Sequence, residues 1–429
     1  MKKLLSILLS LCFCLTVNAC NQSDEPIVLT ILLEDSASRL EANFEEALKY
    51  ANPDKDISFN FEYLSSDYTE RQTQLNHYRT EIMSGKGPDI FVLPTWDTEF
   101  AYSLSGDRIE RKEPLFTDLN NAINNRVFLP LDEMIANGKH LKLEEHHDVV
   151  MNAGKNDEGQ VILPLLYSYE LILLDKNKME DPNISFSNLN DFLSCGDENL
   201  IYTVLSGSPR WIHNIFAGYI DYENGQINMS EDKMYDTLSS VADAYLRGDR
   251  EAIYYQDYLG HPLSNESLYE LNAAEENAYP FVVPNVEGGI TAQITVYTAI
   301  NRNTNHPQEA FNFIELFYDK EMQRNDKIML DNGNGYIKLY MDPLLLGAQS
   351  GIKTGKINYS DEIYFRSYAD IQDIHARITC ARFTTKIDTM LCDLWFNSHY
   401  DFRNTPIDST DFPQKFSEVF SDWSMMAAE

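Results

Sequence analysis

Basic residues are scarce in this chain of 429: 34 Lys and Arg stand against 67 Asp and Glu, a formal charge of -33. A phosphate backbone would be repelled across most of such a surface, which excludes DNA and RNA as main partners. Cysteine is scarcer still, six in all, and three of these fall within the first twenty residues. Cys195, Cys380 and Cys392 are left, an odd and sparse set that makes no disulfide scaffold. One bridge between Cys380 and Cys392 and buried free thiols both stay open. No run of 18 apolar residues follows the first twenty, so the body is expected to be soluble. Catalytic signatures are missing as well. No Gly-x-x-x-x-Gly-Lys-Ser/Thr loop occurs, which excludes a P-loop ATPase, and no His-Glu-x-x-His occurs. Leu205-Ser206-Gly207-Ser208-Pro209 is not a Gly-x-Ser-x-Gly elbow. Asp175-Lys176-Asn177-Lys178-Met179-Glu180 starts like a calcium loop but lacks glycine at the sixth position. Internal repeats and low-complexity tracts are absent.

What is present is a chain able to fold. Hydrophobic residues make up 43% and aromatics 12%, too much for a wholly disordered protein. The length is about two to three typical domains of ~100–200 residues, so a single core is not expected.

Lys2 and Lys3 precede an apolar run from Leu4 to Val17. It is too short to span a bilayer comfortably and fits a secretory leader. The sequence Val17-Asn18-Ala19-Cys20 then resembles the bacterial lipobox, with Asn18 an unusual spacer. That resemblance implies cleavage before Cys20, a diacylglycerol thioether on its sulfur and acylation of the new amine. Two or three acyl chains anchor a protein stably, whereas one does so only marginally. Loss of residues 1–19 leaves 32 basic residues against 67 acidic, a charge of -35. Residues 20–26 then read as a lipid-anchored tether.

Along the mature chain, Ile27–Leu33 reads as a buried strand, Ser38–Tyr50 as a helix, and Ile57–Tyr63 as a strand. Tyr68–Ser84 follows as a helix and Ile90–Leu93 as a buried strand. This β-α-β-α-β order predicts an α/β protein with a parallel sheet. Further strands are expected at Val161–Pro164, Glu170–Leu174, Ile201–Leu205 and Ile290–Ile300. Helices are expected from a Ser187 cap to Leu193, over Trp211–Tyr219, Glu231–Leu246 and Pro307–Tyr318, and over most of the chain beyond about residue 340.

The stretch Tyr78 to Phe91, with Ser84-Gly85-Lys86-Gly87-Pro88-Asp89-Ile90 at its centre, resembles a signature of extracellular solute-binding proteins of ABC importers. Gly85 and Gly87 permit a tight turn, Pro88 sets the start of a strand, and Asp89 can bond neighbouring backbone amides. Leu129-Pro130-Leu131-Asp132, Gly159 to Leu165, Thr295 to Asn301, and His306 to Ile314 resemble further pieces of that family in the same order. The strand at Gln160-Val161-Ile162-Leu163 lacks the family's Tyr-Gly, and nothing after Tyr340 matches.

The resemblance implies a two-lobed periplasmic-binding-protein-like fold of type II. Each lobe would be a mainly parallel sheet flanked by helices, with the ligand cleft between lobes that close by a hinge. The expected lobes are 27–136 with 291–335, and 137–290 with 336–429. The implied function is capture of a solute, foremost a mono- or oligosaccharide, by a monomeric lipoprotein on the extracytoplasmic face, and delivery to ABC permease subunits. No enzyme activity, cofactor or metal is expected. Glu144-Glu145-His146-His147-Asp148 is read as a solvated polar face, because adjacent helix histidines diverge.

A sugar site needs aromatic platforms and hydrogen-bonding side chains. The candidates sit at strand ends: Trp96 and Asp97 after Ile90–Leu93, Tyr167 and Tyr169 after Pro164, Arg210 and Trp211 after Ile201–Leu205, and Glu287 before Ile290–Ile300. Two other readings stay open: a sensory or adhesive surface lipoprotein on the same fold, and a glycan-active enzyme using two of the 67 carboxylates. The acidic surface could attract polyamines. Surface charge is screened over ~8–10 Å, however, so carbohydrate leads.

Overall fold

A computed structural model describes residues 26–34, 57–96, 112–169, 171–175, 185–207, 209–221, 226–247, 278–319, 329–331, 336–338, 372–399 and 410–428. The expected leader, Cys20 and the expected helix Ser38–Tyr50 lie outside the described residues. Strand β1 (Ile27–Glu34) is apolar on both faces, and its parallel neighbours β2 (Ile57–Leu64) and β3 (Ile90–Pro94) flank it. Helix α1 (Tyr68–Met83) makes the crossover between β2 and β3. The Asp67 side chain caps it by accepting from the Glu70 N–H at 2.9 Å.

The helix ends in the turn that the sequence marks. Gly85 and Gly87 take φ +75° and +98°, a region that side chains resist. Asp89 then accepts from the Thr30 backbone N–H at 2.8 Å and from the Thr304 hydroxyl, tying β3 to β1 and to the late chain. The signature residues thus build the sheet rather than the site.

Short helices follow, among them α2 (Asp132–Asn137) and α3 (Asp148–Asn152), and then β4 (Ile162–Ser168). The chain continues through β5 (Leu171–Asp175), α4 (Leu189–Leu193), α5 (Glu198–Gly207), a 3-10 turn (Pro209–Ile215) and α6 (Glu231–Arg247). Strands β6 (Ala278–Val282) and β7 (Ile290–Ile300), helix α7 (Pro307–Glu315), strand β8 (Ile378–Phe383) and helices α8 (Lys386–His399) and α9 (Phe412–Ala428) follow.

Strand β7 organises the six-stranded sheet. β4 runs antiparallel along one edge, from Gln293 to Ala299. β3 is antiparallel against Val296–Ile300, and β8 is parallel against Ile290–Ile294. Since β4 pairs with residues in both ranges, β3 and β8 must share the opposite edge of β7, end to end. Their directions are opposed, so their carboxyl ends converge near Thr295. The Trp96 N–H donates to the Thr384 carbonyl across that point at 3.4 Å.

Two hydrophobic cores result. The first holds β1, β2, β3, β4, β7 and α7, with Leu141, Val150, Met151, Ile378 and Phe383. The second is built by α4, α5, α6, α8 and α9 on the antiparallel β5–β6 ribbon, with Trp395 and Trp423 at its centre. Side chains change core within three stretches: between Tyr169 and Ile172, between Phe281 and Ile290, and between Phe383 and Ile387.

Several sequence expectations are corrected here. Residues 137–169 and β8, expected in the second lobe, pack in the first core, because β4 and β8 bond to β7. Among the described residues the second core has no parallel sheet. Ile201–Leu205 is part of helix α5, not a strand. A short buried apolar run suits either state, and here Ile201, Val204 and Leu205 fill one helical face of the second core. The cap of α4 is Asn188, which accepts from the Asp191 N–H at 3.0 Å, rather than Ser187. His146 and His147 are half-buried rather than solvated. The first packs edge-on against Tyr318, and the second bonds the His375 carbonyl through Nε2 at 3.0 Å. Among the described residues Cys195, Cys380 and Cys392 form no disulfide with one another.

Candidate ligand-binding site

The converging carboxyl ends of β3 and β8 lie where the second core meets the sheet. Open α/β sheets bind ligands beyond strand carboxyl ends, because the loops there are free of ladder bonds. Thr95 anchors the end of β3 twice, through its N–H to the Thr295 carbonyl at 3.0 Å and through its hydroxyl to the Ile294 carbonyl at 3.0 Å. Trp96 follows, half-buried, its indole Nε1 donating to the Thr117 carbonyl at 2.8 Å. On the other edge of β7, Tyr167 stands opposite Ile294 in register. Trp96 and Tyr167 therefore flank the same point of β7 from opposite sides.

Tyr167 is held from behind by His375, 3.3 Å from its hydroxyl, and Tyr169 packs edge-on against the same imidazole. Tyr169 is buried, and burial pushes its phenol well above the ordinary range, so it backs the site as a neutral ring. Burial, with a smaller push from His147, lowers His375 from 6.5 to about 4. A pH dependence follows. The unfolded imidazole takes a proton near 6.5, whereas the folded one resists until about 4. Within that window the unfolded chain binds more protons, and stability falls as pH falls. The share of the slope due to His375 reaches up to roughly 1.4 kcal/mol per unit. His375→Gln removes it, so urea midpoints of wild type and variant run parallel above pH 6.5 and converge towards pH 4.5. Parallel curves throughout would refute a neutral buried His375.

The second core contributes through the 3-10 turn and α8. Gln293 of β7 donates from Nε2 to Asn214 Oδ1 at 2.6 Å and accepts from the Thr384 hydroxyl at 2.7 Å. Beside it lies a charged cluster. Arg382 bonds Asp388 Oδ1 at 2.5 Å and the His213 carbonyl at 2.7 Å, and stacks over Tyr219 at 4.9 Å. Asp388 also accepts from the Tyr219 hydroxyl at 2.8 Å and from the Thr385 N–H at 2.8 Å, which ties down the start of α8. Burial alone would push the Asp388 carboxyl up. Arg382, His213 and the Thr385 N–H outweigh it and hold the group below the usual carboxylate range. Cys392 Sγ lies 3.2 Å from His213 Nδ1, but the thiol is 1% exposed and offers no access to a substrate.

The other sequence candidates are dispersed. Asp97 lies outside the described residues. Arg210 and Trp211 sit on the 3-10 turn that carries Asn214, and their side chains are not among those described. Glu287 is exposed on the turn before β7, at least ~17 Å of strand from the Thr295 junction. Sequence reasoning missed Gln293, Asn214, Thr384 and His375. One signal was available: Gln293 is the only amide inside an otherwise apolar and hydroxyl-bearing strand, where it must find partners. Among the described residues no group of three or more His, Cys, Asp or Glu gathers as a metal site.

No family model and no curated relative matches the sequence. Solved structures match in fold. An extracellular solute-binding protein family 1 from Alicyclobacillus acidocaldarius gives a TM-score of 0.56 at 12% identity, over 95% of this chain and 100% of that one. A periplasmic oligogalacturonide binding protein from Yersinia enterocolitica gives 0.53 at 12%, over 94% and 99%. A de novo designed esterase gives 0.54 at 12%, also over 94% and 99%. The chain thus has the α/β fold of periplasmic solute-binding proteins, as the sequence led us to expect. Most of these neighbours are binding proteins. The esterase among them is a reminder that fold by itself does not choose between binding and hydrolysis.

Proposed function

We propose that this chain is the substrate-binding lipoprotein of an ABC importer. It captures a carbohydrate between two lobes, closes on it about the three crossing segments, and presents it to a membrane permease. The two cores correspond to the lobes. Residues 1–19 are the leader, Cys20 carries the lipid, and residues 20–26 tether the body to the extracytoplasmic face of the membrane. The protein does no covalent chemistry.

The observation that carries this reading is the convergence of two strand carboxyl ends at the junction of the cores, flanked by Trp96 and Tyr167. Apolar sugar faces stack on such rings, and hydroxyl fringes bond neutral amides and hydroxyls. Asn214 supplies such an amide, and Thr95, Gln293 and Thr384 hold the junction around it through bonds of their own. Arg382 and Asp388 neutralise one another, so the junction gains no net charge from them to select a polyamine.

Thermal shift of the full purified protein against maltotriose, mannotriose, a galacturonic acid trimer, a tripeptide and spermidine tests the reading. A ligand at one hundred times its Kd stabilises by about 2.7 kcal/mol. At least one oligosaccharide is expected to raise Tm. A rise with the peptide or the amine alone overturns the carbohydrate class. Mass analysis of the N-terminal peptide tests the anchor: Cys20 unmodified, or followed upstream by intact residues 1–19, removes it.

A further inference from the structure

We infer that Asn214 donates a hydrogen bond to the bound solute and that Thr384 and Gln293 orient it through a relay spanning both cores. The inference rests on the solute-binding reading above. Thr384, at the crossing from β8 to α8, donates its hydroxyl to Gln293 Oε1 at 2.7 Å. Gln293, 3% exposed on the central strand of the first core, donates from Nε2 to Asn214 Oδ1 at 2.6 Å. Asn214 lies between Ile212 and Ile215, both members of the second core.

In this structure the Thr384 hydroxyl donates to Gln293 Oε1, and that direction sets which way each amide faces. An amide has one accepting oxygen and one donating nitrogen, and a hydroxyl donor at Gln293 Oε1 leaves Nε2 for the next residue. Asn214 must then turn Oδ1 towards Gln293 and Nδ2 away from it. Among the described residues Nδ2 donates to nothing, and it is not one of the buried side-chain nitrogens left without a partner. Its N–H pair therefore opens onto the 7% of the residue that stays accessible. A buried amide half-satisfied in this way is costly unless something completes it, and a ligand oxygen does so.

Placement supports the same role. The Thr384 carbonyl accepts from the Trp96 N–H, so the first residue of the relay touches the backbone of the aromatic platform. Two charges beside the relay, Arg382 in register with Gln293 and its partner Asp388, are bonded to each other, so the Asn214 amide offers a neutral donor suited to a neutral acceptor such as a hydroxyl or ring oxygen. Because Gln293 and Asn214 belong to different cores, the donor is aimed only while the cores hold this relative placement. Recognition by Asn214 is thereby coupled to the geometry of the junction.

Calorimetric titration of the full-length protein with the oligosaccharide that raises Tm most tests the relay. Asn214→Ala is expected to weaken binding about tenfold, the worth of one well-placed hydrogen bond. Thr384→Val keeps Asn214 and both aromatics but frees the Gln293 amide to flip, and is expected to weaken binding about threefold. A purely structural role would lower the Tm of the ligand-free variants and leave the Kd of the folded protein within about twofold of wild type, which overturns the inference. If Asn214→Ala does not fold, Asn214→Asp is read instead. It keeps the oxygen facing Gln293 and replaces only the outward nitrogen, and an unchanged Kd again overturns the inference. A wild-type protein that binds none of the three oligosaccharides overturns the carbohydrate reading, and with it the relay as a sugar contact. Binding by wild type and Asn214→Ala alike overturns the relay alone.

Discussion

Asp388→Ala lowers the unfolding free energy by about 3–5 kcal/mol, because it leaves the Arg382 guanidinium buried without its counter-charge. Asp388 is fully buried and accepts from four groups at once: Arg382, the Tyr219 hydroxyl, and the N–H and hydroxyl of Thr385. These partners come from β8, from the chain after the 3-10 turn, and from the start of α8, so one carboxylate fastens the third crossing between the cores. The double variant Arg382→Met/Asp388→Leu recovers much of the loss, since a matched apolar pair carries no desolvation penalty. The sign of the pH dependence follows from the direction of the shift. A carboxyl held below its ordinary 3.8 contributes stability above that value and loses it as pH falls through its folded value. Urea unfolding at neutral pH and at pH 3 measures both effects. A loss under about 1 kcal/mol for Asp388→Ala would show that the cluster does not hold the joint.

Trp96→Ala weakens oligosaccharide binding by about 10- to 100-fold, the range of an aromatic anchor at the centre of an interface. The ring is half-buried, and its indole N–H already bonds the Thr117 carbonyl, so it meets a ligand as a fixed platform and loses little freedom on binding. Trp96→Phe keeps a stacking face but gives up that hydrogen bond, and is expected to fall between wild type and alanine. Titration of both variants with one oligosaccharide separates stacking from positioning. Equal affinity for wild type and Trp96→Ala would place the sugar elsewhere.

Much of the fold was legible in the chain itself. Ile290–Ile300 is one strand from end to end, the Ser84 to Asp89 turn does what its glycines and aspartate imply, and the helices at Tyr68 and Glu231 start where expected. Each depends on periodicity or turn chemistry within a few residues. Ile201–Leu205 misled because a short buried run carries no period of its own, and only its packing in the second core makes it a helix. Of the candidate site, Trp96 and Tyr167 were proposed because each was read as following a strand; the sheet sets both beside one point of β7, with Tyr167 inside β4. Glu287 was placed by its nearness in sequence to β7 and lies at the far end of that strand. Gln293 and Asn214 are 79 residues apart, and no local pattern announces such a pair.

By itself the sequence carried the expectations of a leader, a lipobox and no nucleic-acid partner, and it determined the α/β class and the turns of the first sheet. These are properties of charge and of neighbours along the chain. Only the tertiary structure decided which residues belong to which core, that β3 and β8 meet head to head on β7, and that Arg382 cancels Asp388 beside the junction. Those outcomes depend on strand register and on buried polar groups finding partners across long separations. The charge of -33 illustrates the division. It is a sum over the whole chain, whereas the described polar groups of the junction are neutral amides and hydroxyls beside the paired Arg382 and Asp388, because a buried charge is kept only where another stands against it.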